Sequence, residues 1–274
     1  MMRLDEAERA EIIATADALA DAARSAILPF FRGRALDTRT KLADGFDPVT
    51  EADRAAEQAM RDLLARRRPR DGVLGEEFGH QEGSSGLTWV LDPIDGTRAF
   101  ICGAPTWGVL IALSGPDGPL YGVIDQPYTQ ERFYGGFGTA RMHGPLGGRA
   151  LGTRSAPGLS AALLASTFPE IGTPQERLSF EAVAREVQLV RYGMDCYAYA
   201  LLAAGQIDLV IEAGLNPYDI HAPIAVIEAA GGIVTSWEGG PAHAGGQVLA
   251  AGCPAVHDAA LRLLGAALRG GHEG

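Results

Sequence analysis

Trp89-Val90-Leu91-Asp92-Pro93-Ile94-Asp95-Gly96-Thr97 is the stretch on which the reading of this chain turns. Its apolar opening, Trp89 to Leu91, has the character of a short buried strand that delivers Asp92 at its end. Pro93 has no N–H to give a ladder and is expected to stop the strand there. Asp95-Gly96-Thr97 then has the composition of a turn entering a helix. Two carboxylates three residues apart on a rigid exit can converge on one point. The NH groups of Gly96 and Thr97 are expected to face the same point, as they do where helix N-termini hold anions. A corner of this kind suits a cation together with a phosphate.

Upstream, Leu4, Ile12, Ala16, Leu19, Ala23 and Ile27 recur at helical spacing, so residues 4–31 read as an amphipathic helix ended by Pro29 and Gly33. Residues 34–46 read as a loop or β-excursion. A second helix is expected from Thr50, a good N-cap, to about Arg68, with Asp53 where a capping-box acid stands and an arginine-rich end that complements the helix dipole. Strands are expected at 72–75, 88–91, 106–114, 120–126 and 132–137, with Gly115-Pro116-Asp117-Gly118 as a turn, which suggests an antiparallel meander. Residues 138–160 offer a boundary. Beyond them the rhythm alternates: strands at 162–166, 188–191, 208–212, 233–237 and 248–251, helices at 179–186, 197–204, 220–230 and 257–268. The chain is thus expected to be α/β overall, an α+β half over 1–145 followed by an α/β half over 146–274.

At 274 residues, 47% hydrophobic and 21% charged, the chain can bury a large core. Its net charge of −11 argues against a broad nucleic-acid or anionic-membrane surface, yet leaves room for an anionic substrate held through a bound cation. Cys102, Cys196 and Cys253 form no CxxC pair, and the polar start Met-Met-Arg-Leu-Asp-Glu does not resemble a signal peptide. No apolar run approaches the roughly 20 residues that span a bilayer. A cytoplasmic protein is expected.

Further acids accompany the central stretch. Gly75-Glu76-Glu77-Phe78-Gly79 places Glu76 at a strand end between glycines, and Asn216-Pro217-Tyr218-Asp219 places Asp219 before an apolar helix. Taken singly, each acid also fits a cap or a loop charge. Gly-Glu-Glu at 75–77, the central stretch at 89–97, Tyr-Asp…Glu-Ala-Ala-Gly-Gly at 218–232 and Asp-Pro-Val-Thr-Glu-Ala-Asp at 47–53 occur together in this order. In that combination the chain resembles the inositol monophosphatase family of Mg²⁺-dependent, lithium-sensitive phosphatases over nearly its whole length. The resemblance implies a layered αβαβα sandwich and two to three Mg²⁺ ions held by Glu76, Asp92, the Ile94 carbonyl, Asp95 and Asp219. It further implies that Asp92 bridges two ions, with Glu76 on one and Asp219 on the other. Asp53 and Thr97 match the pair that activates the attacking water, with Glu76 also catalytic, and Asp95, Gly96 and Thr97 match the phosphate site. Lys41 lies where the family often has a lysine near the metals. A small phosphate monoester is the implied substrate and a homodimer the implied assembly, for which the apolar meander leaves room.

Within the family, Arg191-Tyr192-Gly193-Met194-Asp195-Cys196-Tyr197 and Glu212-Ala213-Gly214-Leu215-Asn216-Pro217-Tyr218-Asp219 resemble the histidinol-phosphate phosphatase branch. Histidinol phosphate carries an ammonium group and an imidazole, whereas inositol phosphate offers neutral hydroxyls. Asp195 beside Glu212 complements the cation, with Arg191 and Asp219 completing the expected substrate contacts. Asp195 also fits the N-cap of the following helix, and Glu212 also fits an inositol hydroxyl. Asn216 and Met194 depart from the branch. His221 reads as a packing or surface residue and not a catalytic base, and Pro223 as a first-turn proline. An inositol-1-phosphatase or broad sugar-phosphate phosphatase is the alternative, and a non-catalytic regulatory binding protein on the same fold a lesser one.

Overall fold

The computed structural model describes residues 4–32, 38–40 and 48–270. Lys41 and Asp47 lie outside these residues. Two mixed sheets alternate with three helical layers. The first sheet has eight strands in the order β10-β9-β8-β7-β6-β5-β3-β4. In chain order these are β3 (Gly72–Gly75), β4 (Gly79–Gln81), β5 (Thr88–Asp95), β6 (Gly108–Gly115), β7 (Gly118–Gln126), β8 (Glu131–Gly136), β9 (Thr139–Gly144) and β10 (Gly147–Ala150). The short strands β1 (Thr38–Thr40) and β2 (Pro48–Thr50) pair separately. The second sheet has the order β12-β11-β13-β15-β14, formed by β11 (Leu163–Ser166), β12 (Leu189–Tyr192), β13 (Leu209–Leu215), β14 (Ile233–Thr235) and β15 (Gly246–Ala251).

Strand alternation sets the layers. Trp89, Leu91, Val109, Ile111, Leu113 and Val123 point into a core shared with α1 (Glu6–Ile27) and α2 (Glu51–Arg67). Val90, Leu110, Ala112 and Ile124 point the other way, onto α5 (Tyr197–Ala203) and α6 (Pro217–Ala229). That central layer is closed from the far side by Val210, Val248 and Ala250 of the second sheet, whose outer face packs on α4 (Pro174–Ala184) and α7 (Pro254–Gly270). The β5 run is apolar on both faces because both faces are covered. The architecture is the αβαβα sandwich expected.

Three local features differ from expectation. The meander is not uniform: β3 lies parallel to β5, and β9–β10 extends the sheet by a hairpin that completes at Ala150, past the division expected at 145. The meander is also no open surface, because helices cover both sides. Finally, Pro93 does not stop β5. The strand continues to Asp95, while its register against β6 shifts between Asp92 and Asp95, from Asp92↔Leu110 to Asp95↔Gly108.

Helix α6 comes from the second half of the chain but lies directly on the first sheet. A Cβ at Gly122 would meet the Ala222 carbonyl oxygen at 2.6 Å, and one at Gly135 the Val226 Cα at 2.3 Å. With no side chain between helix and sheet, the first turn of α6 is brought close to the end of β5. A buried ion network fixes the opposite side. Asp125 takes hydrogen bonds from Arg24 (2.7 Å) and Arg132 (2.7 Å), and Arg132 reaches Asp17 and Asp21 on α1.

Candidate active site

The register shift in β5 makes the site. In a regular strand, residues three apart face opposite sides of the sheet. Pro93 gives no ladder bond, and the bulge re-aims the residues beyond it, so Asp92 and Asp95 converge. Asp92 is then pinned by the Ile94 N–H (3.0 Å to Oδ1), and Thr97 Oγ1 donates to the Ile94 carbonyl (3.2 Å). Gly96 takes φ +86, a left-handed conformation that favours glycine, and opens α3 (Thr97–Cys102). That helix has six residues, too few for a substantial macrodipole, and Gly96 and Thr97 at its start line the site's cavity.

Asp219 arrives from α6. It is not the N-cap; Asn216 is, and Asp219 is the third helical residue, accepting the Asn216 N–H at 2.7 Å in a capping box. Oxygens of Asp92, Asp95 and Asp219 lie within 4.8 Å of one another. Glu76, on the β3–β4 loop, lies outside that group of three but lines the same cavity, and its charge acts on Asp92; the loop's shape depends on Glu57. The Glu57 carboxylate accepts the N–H of Glu77 (2.7 Å) and Phe78 (3.2 Å) and is itself held by Arg61 (2.8 Å). Gly75 is needed there for space, since a Cβ would lie 2.0 Å from Glu57 Oε1. The Glu76 N–H also bonds the Leu91 carbonyl (3.2 Å), tying the loop to β5.

Electrostatics make this corner costly without a cation. Burial, then the charges of Glu76, Asp95, Asp219 and Asp53, push Asp92 well above the ordinary carboxylate range. Burial, then Asp219 and Asp195, do the same to Asp95, although the Cys196 N–H donates to it at 2.6 Å. Burial pushes Asp219 up to about 6 against the bonds from Asn216. All donors are hard oxygens on convergent elements, which fits Mg²⁺ or a similar ion. Asp53 is buried in the first turn of α2, near enough for its charge to act on Asp92.

A cavity of about 600 Å³ opens beside the corner. Glu76, Asp92, Ile94, Asp95, Gly96, Thr97, Asp195, Glu212 and Asp219 are among the residues that line it. Arg191 does not: it lies exposed on the edge strand β12, away from the cavity. Asp195 is not an N-cap. Its φ is +46, Thr106 Oγ1 donates to it at 2.8 Å, and it packs on Gly96, where a Cβ would meet its Cγ at 2.7 Å. Burial raises its pKa, opposed by Thr106 and the Arg98 charge. Glu212 accepts the Thr167 N–H (2.6 Å) and hydroxyl (2.9 Å), but burial still pushes it up to about 7.

His221 is a packing residue, bonded through Nδ1 to Ser114 and through Nε2 to the His243 carbonyl, each at 2.7 Å. Pro223 sits past the first turn, which Pro217 opens, so the Asp219 carbonyl loses the N–H donor of a regular helix. Sequence reasoning missed Glu57, Thr106, Tyr199 and the Arg98–Phe168 pair stacked at 4.8 Å. Glu57 had a signal, since it lies one helical turn after Asp53 and therefore on the same face. The others are joined only by tertiary packing.

Fold and site define a metal-dependent phosphatase of small phosphate monoesters. The chain matches the inositol monophosphatase family over residues 8–269 and belongs to it. It is 44% identical to the bifunctional phosphatase IMPL2, chloroplastic, of Arabidopsis thaliana, over 86% of this chain and 67% of that protein. It is 39% identical to a histidinol-phosphatase of Mycobacterium tuberculosis, over 91% of this chain and 96% of that one. The solved structure of an inositol monophosphatase from Zymomonas mobilis superposes with a TM-score of 0.83 at 40% identity, covering 93% of this chain and 98% of the other. The relatives' names thus divide over the substrate.

Proposed function

We propose that this chain is a Mg²⁺-dependent histidinol-phosphate phosphatase. The observation that carries the reading is a pair of acids, Asp195 and Glu212, on the cavity wall beside the convergent Asp92, Asp95 and Asp219. Histidinol phosphate brings a phosphate for the corner and an ammonium group for the wall. Asp195 is held by Thr106 in a left-handed backbone conformation, an investment that a simple loop charge would not need.

Glu76, Asp92, the Ile94 carbonyl, Asp95 and Asp219 are assigned to hold two to three magnesium ions. Bound magnesium supplies positive charge against the negative charge that develops on the phosphoryl oxygens. The N–H groups of Gly96 and Thr97 orient those oxygens, and Thr97 with Asp53 orients the attacking water. Asp195 and Glu212 hold the leaving amino alcohol so that the ester bond lies in line with that water. The three thiols, all free, accord with work in the cytoplasm, in histidine biosynthesis. As to a homodimer, the exposed apolar side chains Leu178 on α4 and Leu189 on β12 are better candidates for a self-contact than the covered meander.

A second reading, inositol-1-phosphate, is favoured by the likeness to the Zymomonas mobilis enzyme. Asp195→Ala separates the two. It is expected to lower kcat/KM for L-histidinol phosphate by about 10–100-fold, the loss of one charge-assisted bond, and to leave inositol-1-phosphate turnover within about threefold. Equal losses on both esters would contradict the assignment.

A further inference from the structure

We propose that the Tyr199 hydroxyl is a specificity determinant that hydrogen-bonds the organic, leaving part of the substrate and contacts neither the metals nor the phosphate. Tyr199 is 4% exposed and lies on α5, yet it lines the cavity. Its hydroxyl finds no hydrogen-bond partner among the described residues. A buried phenol without a partner gives up hydration and gains nothing for the fold, and phenylalanine would fill the same space without that loss. The hydroxyl therefore serves something absent from the free protein.

Its surroundings say what that is. Tyr199 lines the same cavity as Glu212 and Asp195 of the wall and Asp95 and Asp219 of the acid corner, and the charges of Glu212, Asp95 and Asp219 all act on it. The corner offers an ion carboxylate oxygens, beside which a neutral phenol would be a poor ligand for a hard cation. The phosphate has the N–H groups of Gly96 and Thr97. What remains for it in the cavity is the leaving group. Glu212 and Asp195 are acceptors when ionised, whereas a phenol keeps its proton at neutral pH and adds a donor to that wall. The matching ligand is a small alcohol whose organic part carries a hydrogen-bond acceptor, such as a hydroxyl oxygen or an uncharged ring nitrogen, near its ammonium group. The ammonium in this description rests on the histidinol-phosphate reading; the contact with the leaving group does not.

Tyr199→Phe tests this in the full chain at saturating Mg²⁺, with L-histidinol phosphate, inositol-1-phosphate and phenyl phosphate, whose leaving group offers no acceptor beyond the ester oxygen. On whichever polar ester the wild type prefers, kcat/KM is expected to fall about tenfold or more, mainly through KM. Phenyl phosphate turnover and inhibition by inorganic phosphate are expected to stay within about twofold, and the melting temperature not to fall, because no bond is lost in the free protein. A loss confined to inositol-1-phosphate would sustain the contact while removing the histidinol-phosphate reading. An equal loss on phenyl phosphate, weaker phosphate inhibition, a lower melting temperature or no loss on any ester would overturn the inference.

Discussion

Glu212 shows how single residues in this site balance opposing effects. Two hydrogen bonds from Thr167 favour its charged form, yet burial outweighs them and pushes it up to about 7. A carboxyl raised in this way contributes stability that is full below its unfolded value of about 4.3 and is lost as pH rises through about 7. Recognition runs the other way, because an ammonium group needs the carboxylate. KM for L-histidinol phosphate is therefore expected to fall as pH rises through about 7, by about tenfold, when divided by KM for inositol-1-phosphate to cancel the ionisation of the phosphate. Glu212→Gln should flatten that ratio between pH 6 and 8.5. A ratio that keeps its slope in the variant would place the titration elsewhere.

At the scale of elements, the site depends on departures from regularity. The β5 bulge turns Asp95 toward Asp92, and the Glu57–Arg61 pair shapes the loop that carries Glu76. Gly75→Ala is expected to push Glu57 from the loop, weakening Mg²⁺ activation by about 10–100-fold, as loss of support behind a ligand does. The expected stability cost is about 1–3 kcal/mol. A Mg²⁺ titration of activity with a denaturant melt checks both, and an unchanged titration would show that Glu76 holds its place without Glu57. These devices also mark what the sequence conveyed. The helices and most strands were legible from apolar spacing, since covered faces impose it. The continuation of β5 through Pro93 was not, because local rules end a strand at proline and only the pairing with β6 carries it on. Arg191 was misassigned to the cavity for a related reason: its place on an edge strand is decided by sheet order, which spacing does not reveal.

For the whole molecule, the acid corner sets stability against function. Asp92, Asp95 and Asp219 are raised by burial, and Asp92 and Asp95 also by neighbouring carboxylates, so the ion-free protein is expected to lose stability as pH rises through about 6. Saturating Mg²⁺ at about 100 times its Kd should return about 2.7 kcal/mol, a rise of roughly 5–10 °C in Tm for a chain of this size. The rise should shrink at pH 5, where protons compete, and nearly vanish in Asp92→Asn, whose ion-free Tm should exceed that of the wild type. The acids that create this tension were legible as a set, because they recur in a fixed order along the chain. Their convergence was not, since Asp219 reaches the corner only through the close seating of α6 on Gly122 and Gly135. The most direct test of the account is phosphate release with and without Mg²⁺, comparing kcat/KM for L-histidinol phosphate and inositol-1-phosphate. Release is expected to require Mg²⁺ and to favour histidinol phosphate by about a hundredfold, near 2.7 kcal/mol in the transition state. Equal rates on the two esters would contradict the proposed substrate, and release that persists after chelation would contradict the role of the acid corner.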